Sequence, residues 1–284
     1  MGINVPVVQA CVHARYFVHI ETGLTDDNGY FETNKFRCDV NYAIKWQRAD
    51  FEIRNGRFLQ AWYNGPNQKG DWNLNISSGM SRMYTIIHRA AYDYYYNNPF
   101  GIQSPPKNYW YNNILSIGAF DWEDVDSNGD TAPWRRWTGA AEVRIFKPSR
   151  VARDIYATTI HELAHASHWD LAGRFKFYNA DDNVCESWAR GVQWEFARRI
   201  YAGYPGGPTI RPNYTQLVVD LIDSPGDSNN GATGTNDQVS GYTLQQIEQA
   251  LKGAKTFDQW RDNLKNLYDN GTENNLDVLF NFWK

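Results

Sequence analysis

The chain has 284 residues, 42% of them hydrophobic, with 28 Lys and Arg set against 32 Asp and Glu for a formal charge of -4. That is enough chain to bury a full core in one large domain or two smaller ones. An acidic balance with no basic block excludes nucleic acid as a partner, no apolar run approaches the roughly 18 residues of a transmembrane helix, and 12 Trp, 18 Tyr and 14 Phe exclude disorder.

The opening Met1-Gly2-Ile3-Asn4-Val5-Pro6 has no basic stretch followed by an apolar core, so it is not a signal peptide. Running directly into an apolar strand, it suggests that an export signal has been removed, and the expected location is secreted, periplasmic or cell-surface. Cys11, Cys38 and Cys185 make an odd count with no disulfide framework; Cys11 and Cys38 can pair or stay buried thiols. Residues 5–55 read as short strands. Val12, Ala14, Tyr16, Val18 and Ile20 alternate with His13, Arg15, Phe17 and His19 as in one half-buried strand. After the turn cluster Thr25–Gly29 a strand resumes at Tyr30-Phe31. Val40, Tyr42, Ile44 and Trp46 alternate again, and Phe51-Glu52-Ile53 adds a short run.

From residue 78 the pattern turns helical, with Ser81 capping a helix through Tyr94. Residues 98–111 form a loop, Ile114–Ile117 a strand, 121–138 an acidic, Trp-rich loop, and Ala141–Phe146 a strand that Lys147-Pro148-Ser149 ends. Ser149 opens a helix that Gly173 closes. Residues 222–241 are too polar to pack. Two helices end the chain, each opened by a Thr-x-x-Gln capping box, Thr243 to Gln246 and Thr256 to Gln259, with Gly253 and Gly271 at C-caps. Asp124–Asp130 imitates half a calcium loop, but the twelfth position, where a bidentate carboxylate belongs, is Arg135, which favours a plain turn.

The helix after Ser149 carries His161-Glu162-Leu163-Ala164-His165, an H-E-x-x-H motif. The two histidines lie one turn apart on one face, where both imidazoles reach a single ion. Glu162, rotated about 100° from His161, falls beside the metal, where it can hold a water. Catalytic zinc needs a third protein ligand and an open position. His168 shares the face but lies about 10 Å along the axis from His161, too far unless the helix breaks. The metzincin pattern requires Gly at 168 and His at 171, where the chain has His168 and Leu171. Glu186, opening the helix Glu186–Val192, is the better third ligand.

The pairing of Thr159–His165 with Glu186-Ser187-Trp188-Ala189 resembles the gluzincin metallopeptidases, over residues 142–200. The resemblance implies an edge strand before the active-site helix that aligns a peptide substrate, a part for which Glu142–Phe146 is placed. It also implies a Tyr shortly before the Glu ligand as oxyanion donor, which Tyr178 fits, with His168 as a competing donor. Several gluzincins carry Asp four residues after the Glu ligand to orient a histidine; here that position is Arg190. Separately, Thr25–Phe31 resembles the turn and strand of prealbumin-like sandwiches of the carboxypeptidase regulatory-like family, which implies a structural spacer.

The expected protein is therefore of α+β class, with a small β-sandwich domain at 1–60 preceding a mostly helical zincin-like domain at 61–284. Its expected activity is that of a zinc endopeptidase acting on a peptide or glycoprotein. His161, His165 and Glu186 hold Zn2+, Glu162 is the general base and Tyr178 the oxyanion donor. The alternative is a glycan- or glycoprotein-binding surface protein whose zinc is structural or whose catalysis is lost. The aromatic residues of Tyr84–Tyr96 and Trp110–Trp137 are the expected substrate wall.

Overall fold

A computed structural model describes residues 5–108, 113–206, 213–224 and 238–284 of the chain. The fold is mixed α+β. It divides into two compact units, Met1–Asp93 with Lys107–Thr159, and Tyr94–Pro106 with Ile160–Lys284. No helix among the described residues is long and apolar enough to cross a membrane.

The first unit contains β1 (Cys11–Tyr16), β2 (His19–Leu24), β3 (Val40–Lys45), β4 (Phe51–Asn55), β5 (Leu59–Gln60), β6 (Trp62–Gln68), most of helix α1 (Gly79–Tyr96), β7 (Leu115–Ala119), β8 (Gly129–Thr131) and β9 (Val143–Ile145). One sheet has the order β2-β1-β3-β6 and is antiparallel throughout. The other has the order β5-β4-β7-β9-β8, and β4, β7 and β9 run parallel in it. The first 60 residues thus do not close a sandwich on themselves. Their last strands, β4 and β5, join the second sheet, while β6, beyond residue 60, completes the first.

Two strand readings change. The long alternation over 12–20 is a hairpin, because Tyr16 pairs with His19 and Phe17-Val18 make the turn. No strand resumes at Tyr30; the chain is irregular until β3. The turn before it is held as Asx chemistry dictates, with the Asp26 carboxylate accepting the backbone N–H groups of Asn28 and Tyr30, both at 2.9 Å.

β9 is not the edge strand expected for Glu142–Phe146. It lies between β7 and β8, and the short antiparallel β8 forms the edge. Glu142 is buried and bound by the Arg136 guanidinium; burial pushes its carboxyl up to about 7 against the pull of that arginine. The stretch 124–130 leads into β8. Asp130 stands on β8 and pairs with Arg135, and among the described residues these acids do not gather around a common point. All three cysteines are free thiols.

Helix α2 (Ala152–Ala172) opens in the first unit and continues in the second, which adds α3 (Arg174–Phe177), α4 (Asp182–Ile200), α5 (Leu217–Ile222), α6 (Leu244–Leu251), α7 (Phe257–Leu267) and α8 (Leu276–Trp283). Gly173, at φ 77°, ends α2 where expected. The capping box of Thr243 closes in both directions, whereas Gln259 turns to the Lys255 N–H instead of that of Thr256. A third closing helix, α8, joins the expected two: Phe280 meets Phe257 and Trp260 edge-on, and Trp283 donates its indole N–H to Asp220 at 2.5 Å.

Segment 98–106 is anchored in this unit through Gln103. Its backbone N–H donates to both oxygens of Glu248 (2.9 and 3.0 Å), and its carbonyl accepts from Ser167 at 2.6 Å. Burial pushes the Glu248 carboxyl up from 4.5 to about 7, against the lowering effect of the Gln103 N–H. A carboxyl raised in the fold favours stability below its ordinary range, and that advantage is lost as pH rises through the folded value. The group should therefore remove on the order of 3 kcal/mol of stability between about pH 4.5 and 7. Glu248→Gln keeps an acceptor for Gln103 and should flatten the decline, leaving the variant more stable than the parent at pH 8. Thermal unfolding across this range checks it; identical slopes for both proteins would refute the assignment.

Candidate metal centre

The helical repeat of α2 puts His161 and His165 side by side, largely buried, with ring centroids 4.7 Å apart. Helix α4 begins at Asp182, four residues earlier than the sequence suggested, so Glu186 sits in its second turn. Its carboxylate reaches the paired imidazoles. Oε2 of Glu186 lies 3.0 Å from Nε2 of His161 and 3.4 Å from Nε2 of His165, and the two Nε2 atoms are 3.1 Å apart.

These three donors form a group that can hold a metal ion. A tetrahedral ion with bonds of 2.0–2.1 Å spaces its ligands by about 3.3 Å, so the observed triangle matches a zinc-sized cation. The donor chemistry suits a metal ion, since two imidazole nitrogens and a carboxylate oxygen lie within reach of one another. For Glu186 burial opposes ionisation, but His165, with hydrogen bonds from both histidines, holds the carboxyl well below its usual range. For His165 burial works against the charged form, and Glu186, then Glu162, outweigh it and raise the imidazole. The field that draws a proton to these rings also draws a cation.

Glu162 is buried and outside the donor triangle, close enough for its charge to act on His165 and Tyr214. Its rotation on the helix keeps it out of the donor group. Tyr214 is the residue that sequence reasoning missed. Its ring lies nearly parallel to that of His161, with centroids 6.2 Å apart and an angle of 22°, and its phenol lies within electrostatic reach of Glu186 and Glu162. Burial first, then the charges of Glu186 and Glu162, push the phenol up to about 12, so it remains a protonated donor at neutral pH.

Contacts from α4 bring Tyr214 there. Ser187, next to Glu186, hydrogen-bonds Thr215 through their hydroxyls at 2.5 Å, and buried Arg190 donates from Nε to Gln216 at 3.4 Å. Arg190, where some gluzincins have Asp, thus grips the segment that carries Tyr214. Gly191 lets that segment lie close, for a Cβ there would stand 2.1 Å from Cγ1 of Val218 on α5. In sequence the only mark is Asn213-Tyr214-Thr215 itself, which looks like a glycosylation sequon.

The other expected site residues lie elsewhere. Tyr178 is 59% exposed, and its ring neighbour is Phe177; the phenol at the donor triangle is that of Tyr214. His168 is fully buried with its ring against the edge of Phe177, and neither nitrogen has a hydrogen-bond partner among the described residues. Burial, reinforced by His165, lowers it to about 3, so it is a neutral core histidine and no substrate donor. Of the expected substrate wall, Tyr84 and Tyr94 are core residues, Trp122, Trp134 and Trp137 are exposed, and Trp110 lies outside the described residues. Comparison with known proteins found no family model that matches the chain and no curated protein similar to it in sequence.

Proposed function

We propose that the protein is a zinc-dependent peptidase, an exported gluzincin-like endopeptidase whose second unit plays the zincin part. The observation that supports this best is the His161–His165–Glu186 triangle with Glu162 beside it and Tyr214 over it. Zinc, held by the three donors, would acidify a water and polarise the scissile carbonyl. Glu162 accepts the proton of the attacking water and returns it to the leaving amine. Tyr214, kept protonated, donates to the oxygen on which negative charge develops. Ser187, through Thr215, and Arg190, through Gln216, fix Tyr214 in place, so its hydroxyl needs little reorganisation as the charge appears.

The test is peptide hydrolysis by the full chain before and after chelation. Activity should vanish with the metal and return with stoichiometric zinc. Tyr214→Phe should lower kcat about a hundredfold with KM and zinc content little changed, the signature of a donor acting in the transition state. A chain that binds no ion, or hydrolyses equally well without one, overturns the reading. The exposed indoles of Trp134 and Trp137 favour the second reading, a glycan-binding protein with a structural ion. That protein would bind zinc yet hydrolyse no peptide.

A further inference from the structure

The β1–β2 hairpin turns on two residues, Phe17 and Val18. Such turns favour Gly, Asn or Asp because the first central residue takes a positive φ. Phe17 holds that position at φ 49°. Neither residue packs inward: Phe17 is 75% and Val18 96% exposed, and Tyr16 and Ile20 beside them are 41% and 47% exposed. A bulky ring in a strained turn, mostly in water and packed edge-on against the half-exposed Tyr16 ring at 4.7 Å, points away from stability and towards function.

The fixed charge within the turn itself is basic, and the surrounding loop carries both signs. From Arg15 to Ile20 the titratable groups are Arg15, His19 and the Tyr16 phenol, with no acid. Arg15 donates from Nε to the Phe17 carbonyl at 2.9 Å. The ring of Phe36 rests against His19 at 5.6 Å, which brings its exposed neighbours Lys35 and Arg37 to the same end of the sheet. Of the nearby acids, Glu21 is engaged by His19 and Asn34, while Glu32 and Asp39 are exposed along the loop that follows. A convex two-residue tip offers far less than the roughly 1,000 Å² that a stable protein interface buries. Aromatic and aliphatic side chains at the depth of lipid headgroups, with cations behind them at the phosphates, need no such area.

We propose that the β1–β2 tip inserts Phe17 and Val18 into the interface of an anionic lipid bilayer, with Arg15 meeting lipid phosphates. The first unit then serves as a peripheral membrane anchor, whatever the second unit catalyses. The tip lies on the surface and spans nothing, in keeping with the helices described above.

The test is flotation of the full chain with vesicles of phosphatidylcholine, alone or mixed with phosphatidylglycerol. The parent should float with the mixed vesicles, less so in high salt and about tenfold less with phosphatidylcholine alone. The double substitution Phe17→Gly, Val18→Asn supplies residues that the turn prefers, so it should keep or raise Tm while lowering vesicle binding at least about tenfold. Arg15→Glu should weaken binding to mixed vesicles only. No flotation of the parent, or equal flotation of the Gly-Asn variant, overturns the proposal. A parent dimer that the Gly-Asn variant converts to monomer, without flotation of either, overturns it too and assigns the tip to a second copy of the chain.

Discussion

Replacing Glu162 by Gln is expected to reduce peptide hydrolysis about a thousandfold while zinc content stays stoichiometric. Two facts make this effect large and selective. Glu162 is outside the donor triangle, so the ion keeps all three protein ligands. It is also buried against the site, with its charge acting on His165 and Tyr214. Gln has the same shape and cannot accept a proton, which separates loss of the base from loss of packing. Zinc analysis and hydrolysis on one preparation decide the matter. Unchanged activity would remove Glu162 from the mechanism, and lost zinc would place it among the ligands.

Replacing Glu186 by Ala is expected to lower zinc affinity well over a hundredfold, since removing even a residue that merely supports a ligand costs about ten- to a hundredfold. Activity should fall with it. The same variant carries a prediction for the metal-free protein. There Glu186 is depressed below its ordinary 4.5 and His165 raised above its ordinary 6.5 by their mutual attraction, against the burial that opposes both. The carboxylate's contribution is present above about pH 4.5 and lost as pH falls towards its folded value. The imidazolium's is present below about pH 6.5 and lost as pH rises through its folded value. Between these limits the chelated parent should be most stabilised, by the pair. Glu186→Ala should lack that maximum, and thermal unfolding in chelator from pH 4 to 8 will show whether it does. Added zinc should then raise the Tm of the parent and leave the variant nearly unmoved.

Much of the donor set was legible because a helix writes its geometry locally. An i, i+4 pair of histidines on a periodic helix needs no long-range information to converge, and Gly173 marks the end of α2 by its own conformational freedom. The Thr243 capping box is local for the same reason. The sheets were less legible, because pairing partners are chosen across the fold. Phe51–Ile53 alternates like its predecessors, yet β4 pairs in parallel with β7, some sixty residues on, and not with the strands before it. The hairpin was hidden by its own turn, where Phe17 and Val18 continue the apolar alternation instead of breaking it with Gly or Asn.

Residue spacing and helix pitch were enough to pair His161 with His165 on one helix face, to set His168 aside and to put Glu162 beside the pair, whereas the approach of Glu186 is a contact between two helices. Which phenol stands at the site, and what became of His168, depended on packing across the fold. Tyr214 arrives through Ser187–Thr215, Arg190–Gln216 and the close approach at Gly191, contacts between segments far apart in the chain. His168 shares a helix face with the ligands, but a side chain's partners are set by what packs over it. Here that is Phe177, which makes it a core residue.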